Sequence, residues 1–114
     1  MSEFALPQTV VEVYIPGTRN VDVALTPTEH RDYEVAVARR LSRWFGGATA
    51  ESVRGYYVAR DNALVQESIV KVWAFAAPTP AQARAVKRLA RWLRARLDQE
   101  TVLVVIEGKP LLID

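Results

Sequence analysis

The sequence has no cysteine, one methionine and a single histidine, and each shortage removes a class of chemistry. Without cysteine there is no disulfide framework, no thiolate nucleophile and no cysteine metal site. One histidine, His30, excludes any centre built on several. No run of about 18 apolar residues could span a bilayer, and the acidic, proline-containing start does not read as a signal peptide. The expectation is a cytoplasmic protein with no membrane partner, no metal and no cofactor.

What is present suits a folded domain. The chain has 114 residues, 50% of them apolar and 25% charged, and a length near one average domain. Such a chain buries roughly 65% of its extended surface, enough to fold without a covalent staple. Residues 1–8 read as a flexible tail and residues 9–114 as a single α+β domain. Fifteen bases against thirteen acids give a net charge of +2, yet the isoelectric point is about 9.2. Arginine, charged far into the alkaline range, makes up most of the bases, so the high value reflects a small excess.

Periodicity and boundary residues give the order of elements. Thr9–Pro16 reads as a strand closed by Pro16-Gly17, followed by a polar connection to Leu25. Thr26, Pro27 and Glu29 have the spacing of a helix cap, a first-turn proline and a capping box. Tyr33, Val37, Leu41 and Trp44 then form an apolar stripe that ends at Gly46-Gly47. Two strands, about 49–60 and 64–76, flank an Asp61-Asn62 turn. Thr79, Pro80 and Gln82 open a second helix with Val86, Leu89, Ala90, Leu93 and Leu97 on one face. A strand over 101–107 follows, and Gly108-Lys109 can turn it into a short strand at 111–113. The order β-α-β-β-α-β predicts a ferredoxin-like four-stranded antiparallel sheet with two helices on one face and a short C-terminal hairpin strand.

Two helices cover one face of such a sheet. With Val11, Val13, Ile15, Val70, Val72, Val102, Val104 and Ile106 turned toward them, period two assigns Val10, Tyr14, Ile69, Trp73, Phe75, Leu103 and Val105 to the other. The middle hairpin adds Tyr56 and Val58 to that open face. So apolar a surface calls for a cover, and pairing with another copy, as a homodimer or higher oligomer, is the expected one. Tyr14, Ile69, Trp73, Phe75, Leu103 and Val105 are the interface candidates.

Residues able to carry chemistry are few. Glu67 stands in Gln66-Glu67-Ser68 between apolar segments, and Glu12 or Glu107 could lie across the sheet from it. Paired carboxylates support acid–base work, though they serve equally as ladder or ion-pair residues. His30, in the first turn of helix one, could act as a base but reads as a surface residue. The weak catalytic candidates are therefore Glu67, Glu12, Glu107 and His30. On helix two, Arg84, Lys87, Arg88, Arg91 and Arg94 make a basic stripe opposite the leucines, and Arg39, Arg40 and Arg43 extend it. Arginine forks fit phosphate, so these are the nucleic-acid-binding candidates. Gln99-Glu100 follows a helix end whose carbonyls need partners. Gln99 can supply an amide donor there.

Five segments together resemble a family of small uncharacterised bacterial and phage-associated domains: Trp44-Phe45-Gly46-Gly47-Ala48-Thr49, Gly55-Tyr56-Tyr57, Leu64-Val65-Gln66-Glu67, Lys71-Val72, and Leu97 through Leu103. The resemblance spans about residues 40–105 and implies a ferredoxin-like fold, with no activity or catalytic residues to transfer. With no motif of a known reaction, the residues favour a homo-oligomeric structural or interaction module over an enzyme. Two alternatives stay open. One is phosphate-backbone binding through the second helix; the other is a small-molecule or enzymatic pocket on the open sheet face.

Overall fold

Both helices begin at a Thr-Pro pair, and for the same reason. In the computed structural model, which describes residues 2–20 and 22–114, the Glu29 amide donates to Thr26 Oγ1 and the Thr26 amide to Glu29 Oε1, each at 3.1 Å. Thr79 and Gln82 repeat the exchange at 3.1 and 2.9 Å. Each box satisfies amides that a helix start leaves unpaired, while the prolines have none to satisfy. α1 therefore runs Pro27–Phe45 and α2 Pro80–Leu97. α1 stops at Gly46, in the left-handed region at φ 86°, and α2 at Asp98, at φ 50°. Met1 of the expected tail and Val21 of the expected connection lie outside the described residues.

The strands are β1 (Val10–Ile15), β2 (Thr18–Arg19), β3 (Val23–Ala24), β4 (Thr49–Val58), β5 (Leu64–Phe75), β6 (Val102–Ile106) and β7 (Lys109–Ile113). Five of them form one antiparallel sheet in the order β4-β5-β1-β6-β7, and β2 and β3 make a separate two-stranded ribbon. The α+β alternation stands, but the four-stranded expectation is corrected twice. β7 pairs along all of β6 because Glu107 and Gly108 both take positive φ, 54° and 77°, the geometry of a two-residue hairpin turn. The span 17–25, expected as an irregular connection, holds the ribbon. Two residues per strand is too short for any alternation to be visible.

The alternation elsewhere is realised. Val11, Val13, Ile15, Val72, Val102 and Val104 are buried in one cluster with Val37 and Leu41 of α1 and Val86, Leu93 and Leu97 of α2. Both helices therefore lie on one face. Val10, Tyr14, Ile69, Trp73, Leu103 and Val105 stand half-buried on the other, and Phe75 is exposed there. The β4–β5 register pairs Tyr57 with Val65 and Tyr56 with Gln66. Tyr57 thus shares the open face, and Tyr56 and Val58 point the opposite way, beyond the reach of the helices. Among the described residues, no helix is long and apolar enough to cross a membrane.

Candidate functional site

β1 ends at Ile15, opposite Val70 of β5, while β5 extends six residues further toward the hairpin. The chain leaving β1 therefore turns beside Ser68 and Glu67. It can do so because residue 17 is glycine. A Cβ there would stand 2.0 Å from the Ser68 carbonyl oxygen, inside any permitted contact. The close approach lets the Gly17 amide donate to Glu67 Oε1 at 3.3 Å, and Thr18 Oγ1 reaches the same oxygen at 3.5 Å. Both bonds go to Oε1, so the second oxygen keeps its accepting capacity.

A second set of bonds fixes Thr18 from behind. Gln99 Nε2 donates to the carbonyls of Thr18 at 2.9 Å and Leu97 at 3.2 Å. The Asn20 amide also reaches the Leu97 carbonyl, at 2.8 Å, and Arg19 Nη1 donates to the Arg96 carbonyl at 3.0 Å. Carbonyls that the end of α2 leaves open are thus taken by β2 and Gln99. The donor role expected of Gln99 is observed, and it locks the β1–β2 turn to the α2–β6 junction.

These elements enclose a cleft of about 670 Å³ at the hairpin end of the sheet, lined by Thr18, Tyr57, Val65, Glu67, Gln99 and Glu100 among others. Small-molecule sites commonly occupy about 300–1,000 Å³, and three other depressions on the molecule hold about 230, 270 and 250 Å³. The cleft offers two carboxylates, the Arg60 guanidinium, an aromatic ring, amide and hydroxyl groups and an apolar wall. That set suits a ligand that carries charges of both signs and has a flat part.

The other acid candidates lie elsewhere. Glu12 pairs with Trp73 and Val105 in the register, midway along the open face. It binds Lys71 Nζ at 3.0 Å and accepts from the Tyr14 hydroxyl at 3.0 Å, while Glu51 approaches Lys71 at 3.6 Å. Burial, and then the bond to Glu12, pushes the Tyr14 hydroxyl pKa up; the bond to Glu12 raises that of the Lys71 ammonium. Glu107 sits in the β6–β7 turn, beside the Val11–Ile106 end of the sheet and opposite the cleft. The expected pairing of Glu67 with Glu12 or Glu107 is therefore absent. On the open sheet face, where a small-molecule pocket is the open alternative, the strand register keeps Glu67 apart from Tyr14, Trp73 and Glu107. Glu100 is the acid that shares the cleft with Glu67. His30 is half-buried, with Nε2 at 3.4 Å from the Ile15 carbonyl oxygen.

The basic stripe is also redrawn. Arg84, Arg88 and Arg91 are exposed on α2, whereas Lys87 and Arg94 are half-buried on its flank. Arg94 Nη1 donates to the Gln99 carbonyl at 3.2 Å, a bond that ties the helix to its own exit.

No family model matches the sequence, and no curated protein matches it. Among solved structures the chain is similar to a phage SAM lyase in complex with S-methyl-5'-thioadenosine, at 20% identity and a TM-score of 0.66. It is also similar to a phage SAM lyase in the apo state, at 17% identity and a TM-score of 0.71. Each match covers 99% of this chain and 94% of the other. The resemblance placed on residues 40–105 is corrected accordingly. The similarity runs the length of the chain, and it is to named enzymes, not to uncharacterised domains. The reading of a structural module, and the weighting against an enzyme, are overturned by the same finding. Of the alternatives, a small-molecule or enzymatic pocket is backed better than the structural module. Over nearly its whole length, the chain has the fold of phage SAM lyases.

Proposed function

We propose that this chain is a lyase that binds S-adenosylmethionine (SAM) in the cleft around Glu67 and releases S-methyl-5'-thioadenosine. The observation that carries the reading is the cleft itself. A carboxylate held by a main-chain amide stands there beside a second acid and an aromatic ring, in a fold that matches SAM lyases end to end. The four long strands also follow the split βαβ order expected of a ferredoxin-like core.

The chemistry follows from the substrate. SAM is a sulfonium bearing methyl, adenosyl and aminocarboxypropyl groups. A product that keeps methyl and adenosyl requires the bond between sulfur and the aminocarboxypropyl carbon to break. The bond electrons go to sulfur, which leaves as a neutral thioether. A lyase completes the step without water: the four-carbon fragment closes through its own carboxylate or loses a proton to a base. Glu67 and Glu100 supply negative potential for a substrate carrying sulfonium and ammonium charges, in a cleft partly screened from water. Tyr57 and Val65 offer surface to the flat adenosyl part, and Gln66 and Thr101 offer hydrogen bonds to its hydroxyls and ring edge. Gly17 and Gln99 are positioning residues. They act through Glu67 and Thr18.

The test is direct. Purified protein incubated with SAM should yield S-methyl-5'-thioadenosine, resolved by chromatography. Glu67→Gln should lower the rate by about 10²-fold or more, with an unchanged far-UV spectrum. If the unaltered protein yields no thioadenosine and calorimetry detects no binding of it, the reading is wrong.

A further inference from the structure

We infer that the outer face of the helix layer is a sequence-independent docking surface for the phosphate backbone of nucleic acid, separate from the cleft. Charge on this chain is segregated far more than its net value suggests. Residues 35–45 and 80–97 hold nine of the fifteen bases and none of the thirteen acids, which leaves six bases against thirteen acids elsewhere. The first span is the C-terminal part of α1 and the second is α2. Packing makes them one surface. Tyr33 and Trp92 meet as a tilted pair, 5.7 Å between centroids at 57°, and Gln82 Nε2 donates to the Trp44 carbonyl at 3.1 Å.

Among the described residues, no base on that surface forms an ion pair. The ion pairs formed among the described residues are Arg19–Glu29, Arg31–Glu34 and Lys71 with Glu12 and Glu51, all outside both spans. Arg84 and Arg88, and Arg39 and Arg43, are like charges four residues apart on exposed helix faces, a spacing that destabilises a helix. Arg40 and Arg96 instead rest over the Trp92 ring, with guanidinium carbons 5.0 and 5.9 Å from its centre. An aromatic face holds a guanidinium in place without neutralising it. The result is an ordered, unneutralised array of forked donors, the arrangement that suits repeated phosphates.

The same contacts decide the mode of binding. Trp92 is occupied by arginine and Tyr33, so its ring is not offered for stacking on bases. Contacts through guanidinium alone position a duplex without reading it. An acidic protein surface is the competing occupant. It fits less well. The apolar depression between Arg40 and Arg88, lined by Trp44, Ala85, Leu89 and Trp92, holds only about 230 Å³. Arg84 and Arg91 stand exposed outside it, and the cores of protein interfaces are depleted in charge.

The experiment is fluorescence anisotropy of a labelled DNA duplex of arbitrary sequence, titrated with the full chain at several salt concentrations. Binding should weaken steeply with salt, with a log–log slope of about −4 to −6 for five to seven phosphate contacts. Changing the order of bases should leave it unaltered. Arg84→Glu, Arg88→Glu and Arg91→Glu together should weaken binding at least tenfold and reduce the slope by about 3. Should that variant lose its far-UV spectrum, Arg→Gln at the same three positions should still weaken binding severalfold. No binding at low salt, or binding unchanged in a folded variant, overturns the inference. So does tighter binding of poly-glutamate than of the duplex, which would assign the face to an acidic protein.

Discussion

The Gly17 amide and the Glu67 carboxylate, 50 residues apart in sequence, meet at 3.3 Å across the end of β1. The contact depends on the missing side chain at 17, where a Cβ would strike the Ser68 carbonyl oxygen. Gly17→Ala should push the β1–β2 turn off β5, costing about 1–3 kcal/mol, as forced overpacking generally does. Release of S-methyl-5'-thioadenosine should fall with it. Urea unfolding and a rate measurement on the same preparation check both. Unchanged stability and rate would mean that the turn does not shape the cleft.

The open sheet face leads us to expect self-association. Trp73 and Phe75 pack edge to face at 5.1 Å, and the Trp73 indole N–H is buried without an acceptor. Around them lie Ile69, Leu103 and Val105, with the Lys71 group at the centre. A second copy would cover this surface. Light scattering should give a mass above 12.8 kDa. Trp73→Glu should return the protein to a monomer with its far-UV spectrum kept; a monomer before the change refutes the idea.

Core and surface of α2 should respond very differently. Leu93 is fully buried, whereas Arg91 is exposed two positions earlier. Leu93→Ala should cost about 2–5 kcal/mol and Arg91→Ala less than about 0.5. Equal losses in thermal or chemical unfolding would contradict the packing of the helix.

The pKa values of Lys71 and Tyr14 are both raised, so each binds its proton more tightly folded than unfolded. The stabilisation is fully present below the ordinary values of 10.5 and 10.0. It is lost as pH rises through the raised ones. Unfolding midpoints should therefore drop above about pH 10, and Lys71→Met should flatten that limb. Glu29 behaves in the opposite sense. Its pKa is lowered by the Thr26 amide and then by Arg19, so its contribution is present above the usual carboxylate range and fades on acidification.

Much of the fold was legible because its signals are local. A capping box at Thr26 and another at Thr79 name the helix starts by spacing alone, since cap and partner are three residues apart. Alternating valines in β1 and β6 name the buried face, because period two leaves no choice once the helices take one side. The ribbon strands Thr18–Arg19 and Val23–Ala24 leave no trace in the sequence, since two-residue strands carry no period, and the start of β7 is hidden because Lys109 and Pro110 do not look like strand residues.

The site was legible only in part. The sequence itself marks Glu67 as a lone acid between apolar segments, and Gln99 as a donor after a helix end. Glu12 and Glu107 looked equally suited as its partners, and they differ from Glu100 only in where the strands put them. What the residues alone determined, then, is the element order, the buried stripe of each element and the segregation of arginine onto two helices. All of these are set by neighbours within one or two turns. The tertiary structure alone decided which acids meet. The slide of β5 past the end of β1, and the absence of a Cβ at Gly17, bring Glu67, Thr18 and Gln99 together. Such long-range register is settled by packing the whole sheet at once, and no local window of sequence contains it.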